Sequence, residues 1–243
     1  MTLAPRFDAA TRQALRAVPE PELLPTLLSR AAAEAAGVDG AGISMLDELR
    51  VPLGASDPVV ARAERLQTTL GEGPCLSAAG AGEPVVADGA EMAARWPLYT
   101  RQLTAQTPYR SVMSVPLRVG GRSLGALDLY SVSPGRFQRD LVEEVCAHVA
   151  GPIAVQLFCG PPVDVDTFAP PLWLVSDSVI ERMDVWVAVG LVLEQAGLDN
   201  VAALAVLRSY ALRQHRSLDE VAADLTSGRL QPEDVLARER RKV

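Results

Sequence analysis

The chain has 243 residues, a formal charge of −7, 49% hydrophobic residues and only 5% aromatics. That is enough for one large domain or two modest ones, with a core built mainly from Ala, Val and Leu. The acidic balance disfavours a protein that coats itself in nucleic acid, and the single lysine, Lys242, rules out Schiff-base chemistry and a Walker-type phosphate loop, which need a lysine in a folded site. No segment near the N-terminus has the order of a signal peptide, and the longest apolar run, Val185 to Leu193, is about half a bilayer span. The expectation is a cytoplasmic chain with no membrane segment. Cys75, Cys146 and Cys159 form no CxxC pair, and their odd number suits a reduced compartment better than a disulfide framework.

In chain order, residues 1–20 are weakly patterned and predict a mobile arm or a short helix. From Glu22, a helical stripe of Leu23, Leu24, Leu27, Leu28, Ala31 and Ala35 closes at Gly37. Ala41–Leu46 and Val51–Ala55 are strand candidates. Pro58 to Leu70 predicts a helix that starts on proline and stops at Gly71, and Gly71 to Leu76 predicts a loop leading into a short helix. Val85–Asp88 is another strand, and Pro97 to Ala105 a helix carrying Leu98 and Leu103. Ser111–Val119 and Ser123–Val132 predict two longer strands joined by Gly120-Gly121, a pair suited to a tight hairpin turn. Gln138 to Leu157 is helical, with Val142, Cys146, Val149 and Ile153 at heptad-like spacing and an expected kink or end at Gly151-Pro152.

Residues 159–173 carry four prolines, Pro161, Pro162, Pro170 and Pro171, and read as a semi-rigid linker. Three amphipathic helices follow with short joints. Gly197 stands where a C-cap glycine closes the first, Asp199 can N-cap the second, and Ser217 can N-cap the third with Glu220 completing a capping box. The first of the three is apolar on nearly all faces (Val185, Trp186, Val187, Val189, Leu191, Val192, Leu193) and must be buried against something. With the stripe at Val142 to Ile153, it predicts a homodimer or packing against the N-terminal half.

Strands interleaved with helices predict an antiparallel sheet flanked by helices over residues 20–158. Here the strings Leu70-Gly-Glu-Gly-Pro-Cys75, Glu83-Pro-Val-Val-Ala-Asp88, Arg95-Trp96-Pro97, Arg110-Ser111-Val112, Ser114-Val115-Pro116-Leu117 and Leu124-Gly-Ala-Leu-Asp-Leu-Tyr-Ser131, in that order, resemble the GAF domains of actinobacterial GAF–ANTAR regulators. The C-terminal helices resemble the ANTAR module, an RNA-binding unit of bacterial transcription antiterminators, over about Arg182 to Leu225. The resemblance implies an α/β sensor at 20–158, the linker at 159–173, an all-α three-helix module at 174–230 and a basic tail at 231–243.

No enzyme motif stands out: there is no GxSxG, HExxH or strand-linked GxGxxG, and the two histidines, His148 and His215, are far apart. A Cys75–His148 dyad competes with the plainer reading of a buried thiol and a surface histidine, and a redox role for Cys75 is a weaker alternative. No metal or cofactor is expected. By resemblance, a small-molecule signal would bind between the sheet and its helices, where Cys75, Leu76, Asp88, Trp96, Tyr99 and Met113 are the candidate lining; the competing reading is a filled core anchored by Trp96. The family's Ala-Lys-Gly falls on Ala188, Val189 and Gly190, so the lysine is lost. With Arg208, Arg213 and Arg216 these give the candidate RNA contacts, Ala188, Gly190, Arg208, Arg213 and Arg216, with Tyr210 and His215 as stacking side chains. If one helix runs on through Arg216, Arg208 and Arg216 share a side. Between Arg182 and Lys242 nine basic residues balance nine acidic ones, so any RNA-facing charge must be local. The resulting expectation is a signal-responsive antitermination regulator acting on hairpins in mRNA leaders. The alternative is a dimeric protein–protein signalling adaptor that binds no RNA.

Overall fold

The computed structural model describes residues 2–18, 20–46, 50–159, 171–175 and 177–237. Five strands form one fully antiparallel sheet in the order β2-β1-β5-β4-β3: β1 is Gly40–Leu46, β2 Arg50–Ala55, β3 Val85–Asp88, β4 Ser111–Val119 and β5 Arg122–Ser131. Strands β4 and β5 meet at Gly120-Gly121, whose φ angles of +57° and +83° match a two-residue hairpin that glycine turns without strain.

Alternation along the strands sends side chains to two separate helical layers. Ile43, Met113, Val115, Leu127 and Leu129 face α1 (Leu3–Ala17), α2 (Leu24–Ala36) and the helical stretch Arg139–Phe158. Val85, Ala87, Val112 and Tyr130 face α3 (Pro58–Leu70), α4 (Pro74–Ala81), α5 (Gly89–Arg95) and α6 (Pro97–Gln106). The weakly patterned N-terminus is a full helix, because Leu3, Phe7 and Ala10 make a narrow buried stripe against α2. Helix α5 and the exposure of Leu23 and Leu98 also depart from the sequence expectation.

The stretch Arg139–Phe158 does not stop at Gly151-Pro152; its irregularity falls in the turn just before them. It runs as α7 (Arg139–Val145), a widened π turn (Cys146–Ala150) and α8 (Gly151–Phe158). Pro152 lacks the N–H that would bond the carbonyl four residues back, and the wider turn accommodates its ring. This stretch is long and apolar enough to cross a bilayer, yet Val145, Val149, Ile153 and Leu157 are buried on the sheet. Half of the heptad-like stripe is thus spent within the chain, and Val142 and Cys146 pack at its margin.

The C-terminal helices are α9 (Asp177–Ala196), α10 (Asn200–Arg213) and α11 (Leu218–Thr226), with the predicted Asp199 cap and Ser217–Glu220 capping box in place and Gly197 at φ +65°. They have a core of their own, from Val185, Ala188, Val192, Leu204, Leu207, Leu218, Val221 and Leu225. The expected tail at 231–243 begins instead with a short helix, α12 (Pro232–Leu236), because Val235 is fully buried in that core. Residues 238–243 lie outside the described residues, as do 160–170 of the expected linker. At the linker's C-terminal end Trp173 packs edge-on against Phe158, 6.3 Å between centroids, and Val179 of α9 joins the same core. Helix α9 therefore begins in the N-terminal core and ends in the C-terminal one.

Candidate functional site

The sheet face under α3 and α4 is polar where an ordinary core would be apolar. Arg50 enters β2 fully buried, and its guanidinium is saturated: Nη2 reaches Glu64 Oε2 at 2.5 Å and Asp128 Oδ2 at 3.2 Å, Nη1 reaches the Glu64 carbonyl at 2.7 Å and Thr68 Oγ1 at 3.1 Å, and Nε reaches Cys75 Sγ at 2.7 Å. Gln67 donates to Asp128 Oδ2 (2.7 Å) and Tyr130 Oη (3.1 Å) and accepts the Cys75 N–H, while Tyr130 donates to Glu64 Oε1 at 2.6 Å. Each residue is placed by its element. Helix α3, fixed by Asp57 capping the N–H groups of Val59 and Val60, presents Glu64, Gln67 and Thr68 on one face; Asp128 and Tyr130 stand two apart on β5.

One buried cation faces two buried carboxylates, so the cluster has an excess negative charge. Burial, with the charge of Glu64 added and Arg50 opposing, pushes Asp128 up to about 7. Burial also pushes the Cys75 thiol and the Tyr99 and Tyr130 phenols up, out of any nucleophilic range near neutrality. The same face buries further polar side chains: Ser114 stands opposite Asp128 across the β4–β5 register and hydrogen-bonds its carboxylate, Tyr99 lies beside Tyr130, and among the described residues Ser44 Oγ is buried without a hydrogen-bond partner.

Of the expected pocket residues, Cys75 belongs to this cluster and Tyr99 borders it. Trp96 sits in the neighbouring apolar core, its indole N–H on Ser77 Oγ at 3.2 Å and the Arg95 guanidinium 4.4 Å from its ring centre. Leu76 is half-buried on α4. Asp88 lies at the end of β3, where it accepts the Gly135 N–H at 2.7 Å. Met113 points to the opposite layer and does not join the others. His148 is exposed on the helical layer beyond the sheet from Cys75, so the dyad is not formed. The sequence assigns no site role to Arg50, Glu64 or Gln67, nor to Asp128 and Tyr130 within the string Leu124–Ser131, although Asp128 inside an apolar strand is a signal.

The C-terminal candidates are arranged otherwise than expected. Ala188 is fully buried and Val189 nearly so, whereas Gly190 is exposed. Arg208 faces the N-terminal unit: Nε donates to the Thr68 carbonyl at 3.1 Å, and burial lowers its pKa. Arg213 is exposed beside Tyr210 and bonds Ser209 Oγ. Helix α10 ends at Arg213 and His215 turns the chain with φ +54°, so Arg216 is not on that helix and shares no helical face with Arg208. Arg216 instead holds Asp224 at 2.6 Å and the Glu220 carbonyl at 2.9 Å. Between the two units a cleft of about 550 Å³ is lined by Arg62, Arg65, Gln102, His215, Arg216 and Glu220, among others.

A family model described as GAF domain matches residues 17–154, more than half of the chain. The chain belongs to the GAF domain family. No curated protein matches it. Among solved structures it is similar to the GAF domain of a phosphoenolpyruvate-protein phosphotransferase from Coxiella burnetii (19% identity, 63% of this chain and 92% of that one, TM-score 0.47). It is similar also to the GAF domain of an Acinetobacter phosphoenolpyruvate-protein phosphotransferase (15%, 66% and 96%, 0.45) and to free methionine-R-sulfoxide reductase from Neisseria meningitidis in complex with its substrate (18%, 63% and 88%, 0.42). The five-stranded antiparallel sheet with its two helical layers is thus a GAF domain, and the buried ion cluster lies on one face of its sheet.

Proposed function

We propose that the chain is a cytoplasmic, signal-responsive regulator of transcription antitermination, in which the GAF domain senses a small molecule and an ANTAR-type module binds hairpins in mRNA leaders. The observation that carries this reading is the second hydrophobic core. Helices α9–α12 enclose their own interior, apart from the cores on the two faces of the sheet, as a separable output unit must. Its helix caps stand at the positions where the sequence resembles ANTAR. The reading is non-catalytic: the buried, protonated Cys75 supports that, and no metal or resident cofactor is required by it. It includes a homodimer, for which the exposed Met183, Val187 and Val201 supply apolar surface.

The test is direct binding. The purified full chain should bind an RNA carrying two short-loop hairpins more tightly than an unstructured RNA of equal length, and Arg213→Ala should weaken hairpin binding by about 1–3 kcal/mol. Equal, weak binding to both RNAs rejects the reading. The adaptor alternative gains from Val189 standing buried where the family has lysine, and from Arg208 facing the GAF domain rather than solvent.

A further inference from the structure

We propose that Thr68 couples the buried ion cluster of the GAF domain to the seating of the C-terminal module, with Arg208 as the latch. One residue serves both sides. Its hydroxyl accepts the Arg50 guanidinium at 3.1 Å, and its carbonyl accepts Nε of Arg208 at 3.1 Å. The carbonyl is available because Thr68 lies in the last turn of α3, where backbone acceptors have no partner within the helix and a cation is favoured by the helix dipole. The adjacent residue makes a second bond across the seam: Thr69 Oγ1 accepts the Leu218 N–H, at the start of α11, at 3.1 Å.

The seam is shaped to admit the latch. Gly71, at φ +70°, closes α3, and a methyl group there would fall 2.7 Å from Nη1 of Arg208. The left-handed backbone favours glycine there, and any side chain would displace the Arg208 guanidinium from its seat. On its inner side the same helix carries Glu64 and Gln67, which bind Arg50, Asp128 and Tyr130. A rearrangement of Arg50 alters its bond to the Thr68 hydroxyl, two residues from the end of α3, and so reaches the turn whose carbonyl seats Arg208. Packed elements of this kind shift between discrete arrangements rather than deform smoothly. The inference concerns the docking of the module and holds whatever the module binds.

Coupling is reciprocal, so it can be read from the far side. In the full chain carrying Cys146→Ser and Cys159→Ser, Cys75 is the one remaining thiol, and its labelling by a small thiol reagent reports how often the cluster opens. Arg208→Ala should raise hydrogen exchange at the Leu218 amide and raise Cys75 labelling several-fold, with the amides of β4 and β5 unchanged. Thr68→Val, which keeps the carbonyl and deletes the hydroxyl, should loosen both readouts as well, and Gly71→Ala should mimic Arg208→Ala. Release of the module with Cys75 labelling unaltered overturns the coupling. Unaltered protection at Leu218 overturns the latch. Equal loss of protection in β4 and β5 shows global unfolding and rejects the proposal too.

Discussion

Arg50 stands at the centre of the buried ion cluster, with five donor contacts and a side chain closed to solvent. Removing one member of a buried ionic group leaves the rest uncompensated, so we predict that Arg50→Met lowers stability by about 3–5 kcal/mol, read by denaturant unfolding. The pH dependence follows from Asp128. Its carboxyl is pushed up to about 7 in the folded chain from an ordinary 3.8, so folding favours the protonated form. The stabilising contribution is complete below about pH 4 and is lost as pH rises through about 7. Asp128→Asn carries no proton to lose, and its stability relative to the parent should therefore rise between pH 4 and 7; a parallel pair of curves would show that Asp128 does not hold that proton. These residues escaped sequence reading because their partners are 14 to 78 positions apart. Only tertiary closure of β2, α3 and β5 makes a charged strand residue into half of an ion pair.

Secondary structure was far more legible, since it rests on local chemistry. Pro58 with Gly71, Gly120 with Gly121, and Ser217 with Glu220 each announce a boundary through backbone angles or caps, and each stands where expected. Misses came where tertiary contacts decide. The narrow stripe of α1, the widened turn before Pro152 and the docking of α12 through Val235 depend on the surface each meets. In the same way, the alternation that identified β4 could not by itself say that Met113 faces away from Tyr99. The separateness of the C-terminal core gives an element-scale prediction. Leu207 on α10 is fully buried, and Leu207→Ala should cost about 2–5 kcal/mol. Hydrogen exchange should show that loss in α10–α12 while β4 and β5 stay protected; loss spread evenly over both units would mean that they fold as one.

At the scale of the whole molecule, the described residues join the units through α9 and through the seam at the end of α3. Helix α9 buries Val179 in the core of the GAF domain and Val185 in the module's own, and the seam at the end of α3 holds Arg208 and Leu218. The basic side chains that remain on the module's exposed surface, Arg213 foremost, are those through which an RNA reading must act. The measurement that tests this account most directly is recovery and sequencing of RNA crosslinked to the full chain in cells, beside an Arg213→Glu variant. The account predicts enrichment of leader segments carrying paired short-loop hairpins, lost in the variant. RNA recovered at background level, or without hairpin enrichment and unchanged by the substitution, would contradict it and leave the module as a docking unit for protein.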